Sequence, residues 1–76
     1  MNATSNAVLE ILEDVLEVPA ERIREQPTLA DHGWDSISSL EALARLETEF
    51  GAKFDLRRFT AVETTDDLVA LLEERR

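Results

Sequence analysis

The strongest constraint on the fold is a spacing. Val8, Ile11, Leu12, Val15 and Leu16 stand at i, i+3, i+4, i+7 and i+8, with Glu10, Glu13, Asp14 and Glu17 around them. On a helix this puts one continuous apolar stripe opposite an acidic face, whereas a strand would scatter the same residues over both of its faces. A helix is therefore expected from about Ser5 to Glu17. Pro19 ends it, because the residue before a proline is pushed out of the helical region and proline has no N–H for the ladder.

The same period returns further along. Ile37, Leu40, Leu43, Leu46 and Phe50 step by three and four, which predicts a second long helix from Asp35 or Ser36 through Phe50. Gly51 follows where a left-handed C-cap is wanted, and Asp35 and Ser36 are N-cap residue types. Ser38 with Glu41 also matches a capping box, which would move the start slightly later. Between the two helices, Val18 to Trp34 keeps no period and is punctuated by Pro27 and Gly33. It reads as a long loop pinned by Ile23 and Leu29, with Ala20 to Arg24 as a candidate helical turn.

Phe54, Leu56, Phe59 and Val62 suit a short third helix between Lys53 and Glu63. The last helix is expected from Thr64 or Thr65, with Asp66 and Asp67 complementing the dipole of its first turn. Leu68, Leu71 and Leu72 would face the core, and Arg75 and Arg76 would sit at its C-terminal end. A chain of 76 residues has room for one domain, residues 1–76, and one modest core. The expected architecture is all-α: a small antiparallel four-helix bundle with a long first loop and a short third helix. An aromatic content of 5%, with only two glycines and two prolines, suits helices better than sheets.

Charge narrows the partners. Seventeen acidic residues against 8 basic ones leave a net charge of -9, which repels nucleic-acid backbones and anionic membrane surfaces and favours proteins with basic patches. No apolar run approaches the roughly 20 residues that span a bilayer, and Met1 to Asn6 lacks a signal-peptide pattern, so a cytoplasmic location is expected. The absence of cysteine excludes disulfides and zinc-thiolate sites. It also leaves the polypeptide no thiol with which to form a thioester.

Asp31, His32, Asp35 and Ser36 crowd one loop, as a hydrolytic site would require. Nucleophilic catalysis also needs an oriented base and preorganised oxyanion donors, and Gly33-Trp34-Asp35-Ser36-Ile37 is not the Gly-x-Ser-x-Gly elbow. His32, the one histidine, stands at spacings from carboxylates that match neither a zinc site nor an EF-hand, so no metal is expected and His32 reads as a solvent-facing loop residue. The chain does not read as an enzyme. Trp34 is expected to anchor its loop against the core. Asp35, Ser36 and Glu41 gather at the start of the second long helix, and Glu47 extends the acidic strip on the side from which an enzyme would reach the serine. The ordinary alternative is a helix cap beside a solvated acidic face.

The arrangement resembles the acyl carrier proteins over essentially the whole chain. The family's motif is Asp-Ser-Leu with a glycine two positions before the Asp, and Gly33-Trp34-Asp35-Ser36-Ile37 matches it at Gly33, Asp35 and Ser36, with Ile37 in place of leucine. Leu46-Glu47-Thr48-Glu49-Phe50-Gly51 adds to the likeness near the helix end. The resemblance implies that Ser36 receives phosphopantetheine from coenzyme A through a phosphopantetheinyl transferase. The arm's thiol would then carry acyl groups as thioesters, which answers the missing cysteine. A helix N-terminus suits the anionic phosphodiester.

By the same resemblance Asp35, Glu41 and Glu47 would meet basic patches on the transferase and on acyl- or aminoacyl-loading, condensing and transfer enzymes, with Ile37 and Leu40 adding apolar contact. The carrier would be a monomer. Ser38, Ser39 and Thr48 depart from residues common in relatives, and Arg45 interrupts the acidic strip. Phe54 and Phe59 are bulky beside the family's acyl-sheltering space, which suits a short, amino-acid-derived or polyketide cargo better than a long buried chain. The start at Met1 favours a free-standing carrier, in polyketide, specialised fatty-acid or related secondary-metabolite biosynthesis. The alternatives are an aminoacyl or peptidyl carrier of a nonribosomal pathway, whose usual Gly-Gly motif Trp34 fits poorly, and an unmodified acidic helical adaptor.

Overall fold

In the computed structural model, which describes residues 3–74, the first apolar stripe becomes α1, Ala3–Leu16. Val8, Leu9 and Leu12 are buried along it, and Ile11, Val15 and Leu16 pack partly against the core. The helix ends before the proline acts. Glu17 already turns left-handed at φ 57°, and Pro19 then serves as N-cap of α2, Ala20–Glu25. The expected long loop is therefore organised over much of its length. Ile23 and Leu29 are fully buried and hold it down, and a 3-10 turn spans Leu29–His32.

The second long helix is α3, Ser36–Phe50. Asp35 Oδ1 accepts from the Ser38 N–H at 2.8 Å, which sets the start at Ser36 and leaves no capping role for Ser38. Gly51, at φ 61°, takes the left-handed C-cap that a Cβ would strain. The short third helix of the expectation is α4, Leu56–Thr60, capped by Asp55. The last is α5, Thr65–Glu73, opened by a reciprocal capping box between Thr64 and Asp67, with Leu68, Leu71 and Leu72 buried. Arg75 and Arg76 lie outside the described residues.

The result is the expected all-α bundle. Helix α1 packs on α2, α3 and α5, α3 packs on α4, and α4 packs on α5. No helix among the described residues is long and apolar enough to cross a membrane.

Helix α3 departs from its apolar stripe. Its fully covered residues are Ser39, Ala42 and Leu46, whereas Ile37 is 75% exposed, Leu40 50% and Phe50 37%. The cause is that α3 is wedged between α1 and α4, and small side chains on the covered arc let helices approach closely. Ser39 tolerates burial because its hydroxyl donates to the Ser36 carbonyl at 3.0 Å. Of the stripe, only Leu46 is fully buried and Leu43 partly so, leaving two large apolar side chains beside the helix start uncovered.

Candidate functional site

The approach to Ser36 is fixed from outside its own helix. Leu29 N–H donates to the Glu63 carbonyl at 2.9 Å and Thr65 N–H to the Pro27 carbonyl at 3.1 Å, around an isolated antiparallel bridge between Thr28 and Thr64. These bonds staple the segment before the 3-10 turn to the entry of α5. Gly33 then turns left-handed at φ 86°, with its N–H on the Ala30 carbonyl, and Trp34 N–H returns to the Leu29 carbonyl at 3.3 Å. The Ser38 hydroxyl donates back to the Gly33 carbonyl at 3.4 Å. The chain thus delivers Ser36, exposed, as the first residue of α3.

Asp35 shapes the electrostatics of that helix start. The Ser38 N–H, above all, holds its carboxyl below the ordinary value of 3.8. Asp67 is lowered in the same way, first by the Glu63 N–H and then by that of Thr64. The Asp35 carboxylate therefore already occupies a first-turn donor that a free helix N-terminus would offer an anion. A phosphodiester on Ser36 fits as a group facing solvent beside the cap. The exposed hydroxyl admits it, and the reduced set of free N–H groups does not enclose it.

The two lowered carboxyls carry a pH dependence. In the unfolded chain both return to ordinary values, so the ionised caps stabilise the fold above about pH 3.8, and that contribution is lost as pH falls through this value towards the lower folded ones. Thermal midpoints followed by circular dichroism between about pH 5 and pH 2 should therefore fall less for Asp35→Asn/Asp67→Asn than for the parent. Parallel curves would show that these carboxylates do not carry the acid sensitivity.

The other candidate residues separate into two groups. Ile37, Leu40 and Glu41 are exposed on the first turns of α3, close in sequence to Ser36 and Asp35. Glu47 is different. It is half-buried, and its Oε2 accepts from the Phe54 N–H at 3.0 Å, tying the α3–α4 connection to the helix. Arg45, which interrupts the acidic strip, reaches Asp14 on α1 at 3.3 Å and lies 4.0 Å from Glu41. His32 is partly exposed on its loop, and its Nε2 donates to the Gln26 carbonyl at 2.6 Å, closing the loop on itself. Trp34 does anchor the loop: it packs against the core, with its ring centroid 6.2 Å from that of Phe59.

Sequence reading missed the contribution of Thr28, Glu63 and Thr65 to the site, because their backbones place it and backbone pairing across 36 positions leaves no local pattern. Among the described residues no three His, Asp or Glu side chains converge as a metal site would require.

The chain is similar to known proteins. A family model described as "Phosphopantetheine attachment site" matches residues 6–72. The chain is 38% identical over 64 residues, 83% of its own length and 74% of the relative's, to "Acyl carrier protein 3" of Ralstonia nicotianae (strain ATCC BAA-1114 / GMI1000). No solved structure gives a significant match.

Proposed function

This chain belongs to the acyl carrier proteins, and we propose from that premise that Ser36 bears its phosphopantetheine arm. As a member of the family it is a non-catalytic carrier, and phosphopantetheine is its prosthetic group. The arm, when present, supplies the thiol that the polypeptide lacks. The observation that carries the assignment is a hydroxyl that reaches solvent at the first residue of α3, while the backbone on both sides of it is pinned by bonds to Leu29, Asp35 and Gly33.

In the loading step a bond forms between Ser36 Oγ and phosphorus as the bond to the adenosine bisphosphate half of coenzyme A breaks, and the hydroxyl proton leaves to a base of the transferase. The residues of this chain contribute position and recognition. Asp35 holds the first turn of α3, and Ile37, Leu40 and Glu41 form the exposed rim on which a basic, partly apolar enzyme surface docks. The pathway we favour is polyketide, specialised fatty-acid or related secondary-metabolite synthesis, supported by the two phenylalanines that occupy the core beside α3.

Incubation with coenzyme A and a promiscuous phosphopantetheinyl transferase should raise the intact mass by one phosphopantetheinyl unit. A chain that gains no mass is an unmodified adaptor. Glu41→Lys should slow loading at low salt and matter less at high salt, while changing stability by no more than about 0.5 kcal/mol. Identical loading kinetics in the parent and Glu41→Lys at low salt would remove Glu41 from the docking rim.

A further inference from the structure

Behind Ser36 the first two covered positions of α3 carry small side chains. Ser39 and Ala42, three and six residues on, are 2% and 0% exposed, and α3 packs on α4. The aromatic rings of the core come from outside α3. Phe59, on α4, is completely covered and belongs to the same core cluster as Ala42 and Leu46. Its ring centroid is 6.2 Å from that of Trp34, two residues before Ser36, and 6.5 Å from that of Phe54. Separations of this size are those of rings in contact. The rings are linked through Phe59, from Trp34, two residues ahead of the serine, to Phe54 before α4.

A close-packed interior has no slack for an added alkyl chain. An engineered cavity of about 150 Å³ admits a benzene, and here the covered Phe59 ring takes up core volume on α4. Forcing extra methylenes into such a core drives side chains off their rotamers. Trp34 also lines a surface cleft with Thr28, Ala30 and Val62.

We propose that Trp34, Phe59 and Phe54 close the interior of this carrier to its cargo, so that acyl groups ride at the surface and the substrates are short or polar acyl units. The proposal rests on Ser36 being the attachment point. A long alkyl thioester finds no shelter from water here, and its exposed apolar surface disfavours it as a stable cargo.

The test loads acetyl- and octanoyl-phosphopantetheine onto the full chain from the corresponding acyl-coenzyme A with a promiscuous transferase, verifies each product by intact mass, and compares melting midpoints. In the parent the two acyl forms should melt together. In Phe59→Val, which removes the linking ring without truncating to alanine, the octanoyl form should melt several degrees above the acetyl form, because the chain fills the vacated space. A parent octanoyl form that melts several degrees higher overturns the proposal, since the chain has then entered the interior. Equal midpoints in Phe59→Val overturn it as well, because the ring would not be what closes the space. Failure of any mass gain would instead overturn the assignment of Ser36, and with it this inference, and the mass spectrum separates that result from the others.

Discussion

Ser36→Ala should abolish phosphopantetheine loading completely while leaving the melting transition where it is. The side chain at this position caps nothing: the N-cap bond is made by Asp35, and Ser39 donates to the backbone carbonyl of Ser36, which the substitution retains. Alanine is the best helix former and the site is exposed, so the stability change should stay within about 0.5 kcal/mol. Loss of the mass gain with an unchanged melting curve therefore isolates chemistry from folding. The two neighbouring serines make the control sharper. Ser39 is buried and its hydroxyl is engaged, and the Ser38 hydroxyl turns back to Gly33, so neither should take over. A residual mass gain in Ser36→Ala would show that the transferase uses one of them and that α3 presents its hydroxyls differently.

Phe59→Ala should be the most damaging single truncation in the core. The ring is fully covered and touches both other aromatic rings at the site, and removing a buried phenylalanine costs about 3–5 kcal/mol, part of it from the cavity left behind. A chain of 76 residues has a total stability on the order of 4–11 kcal/mol. The variant should thus melt more than about 10 °C below the parent or show no cooperative transition. Phe50→Ala is the contrast. Phe50 lies on the same apolar stripe as Leu46 but is 37% exposed, and its truncation should cost well under half as much. Equal losses from the two would mean that Phe50 is covered in solution and that α3 sits in another rotation.

That contrast marks the limit of what was legible in the chain. The caps were legible because they are local: Asp35, Gly51 and Thr64 act within three or four residues of themselves, and each does what its residue type favours. Ile23 and Leu29 could be recognised as pins because an isolated apolar residue in a polar stretch has little other use. Leu9 falls beside the apolar stripe of α1 and is buried because α1 is packed by helices on several sides, which no local pattern shows. For the site, the Asp-Ser motif and its place at a helix start were readable. The split between exposed Glu41 and engaged Glu47 was not, because the Phe54 N–H that holds Glu47 arrives only when the chain turns after α3.

The sequence by itself determined the cores of α1, α3 and α5, the caps at Asp35 and Gly51 and the hydroxyl at position 36, since periodicity, capping and turn residues act over a few positions along the chain. Only the tertiary structure decided which side of α3 is covered, where the Trp34 ring rests and which rings meet at Phe59. Those outcomes depend on α1, α4 and the Thr28–Thr64 bridge meeting in space, and burial is a property of partners brought from far along the chain.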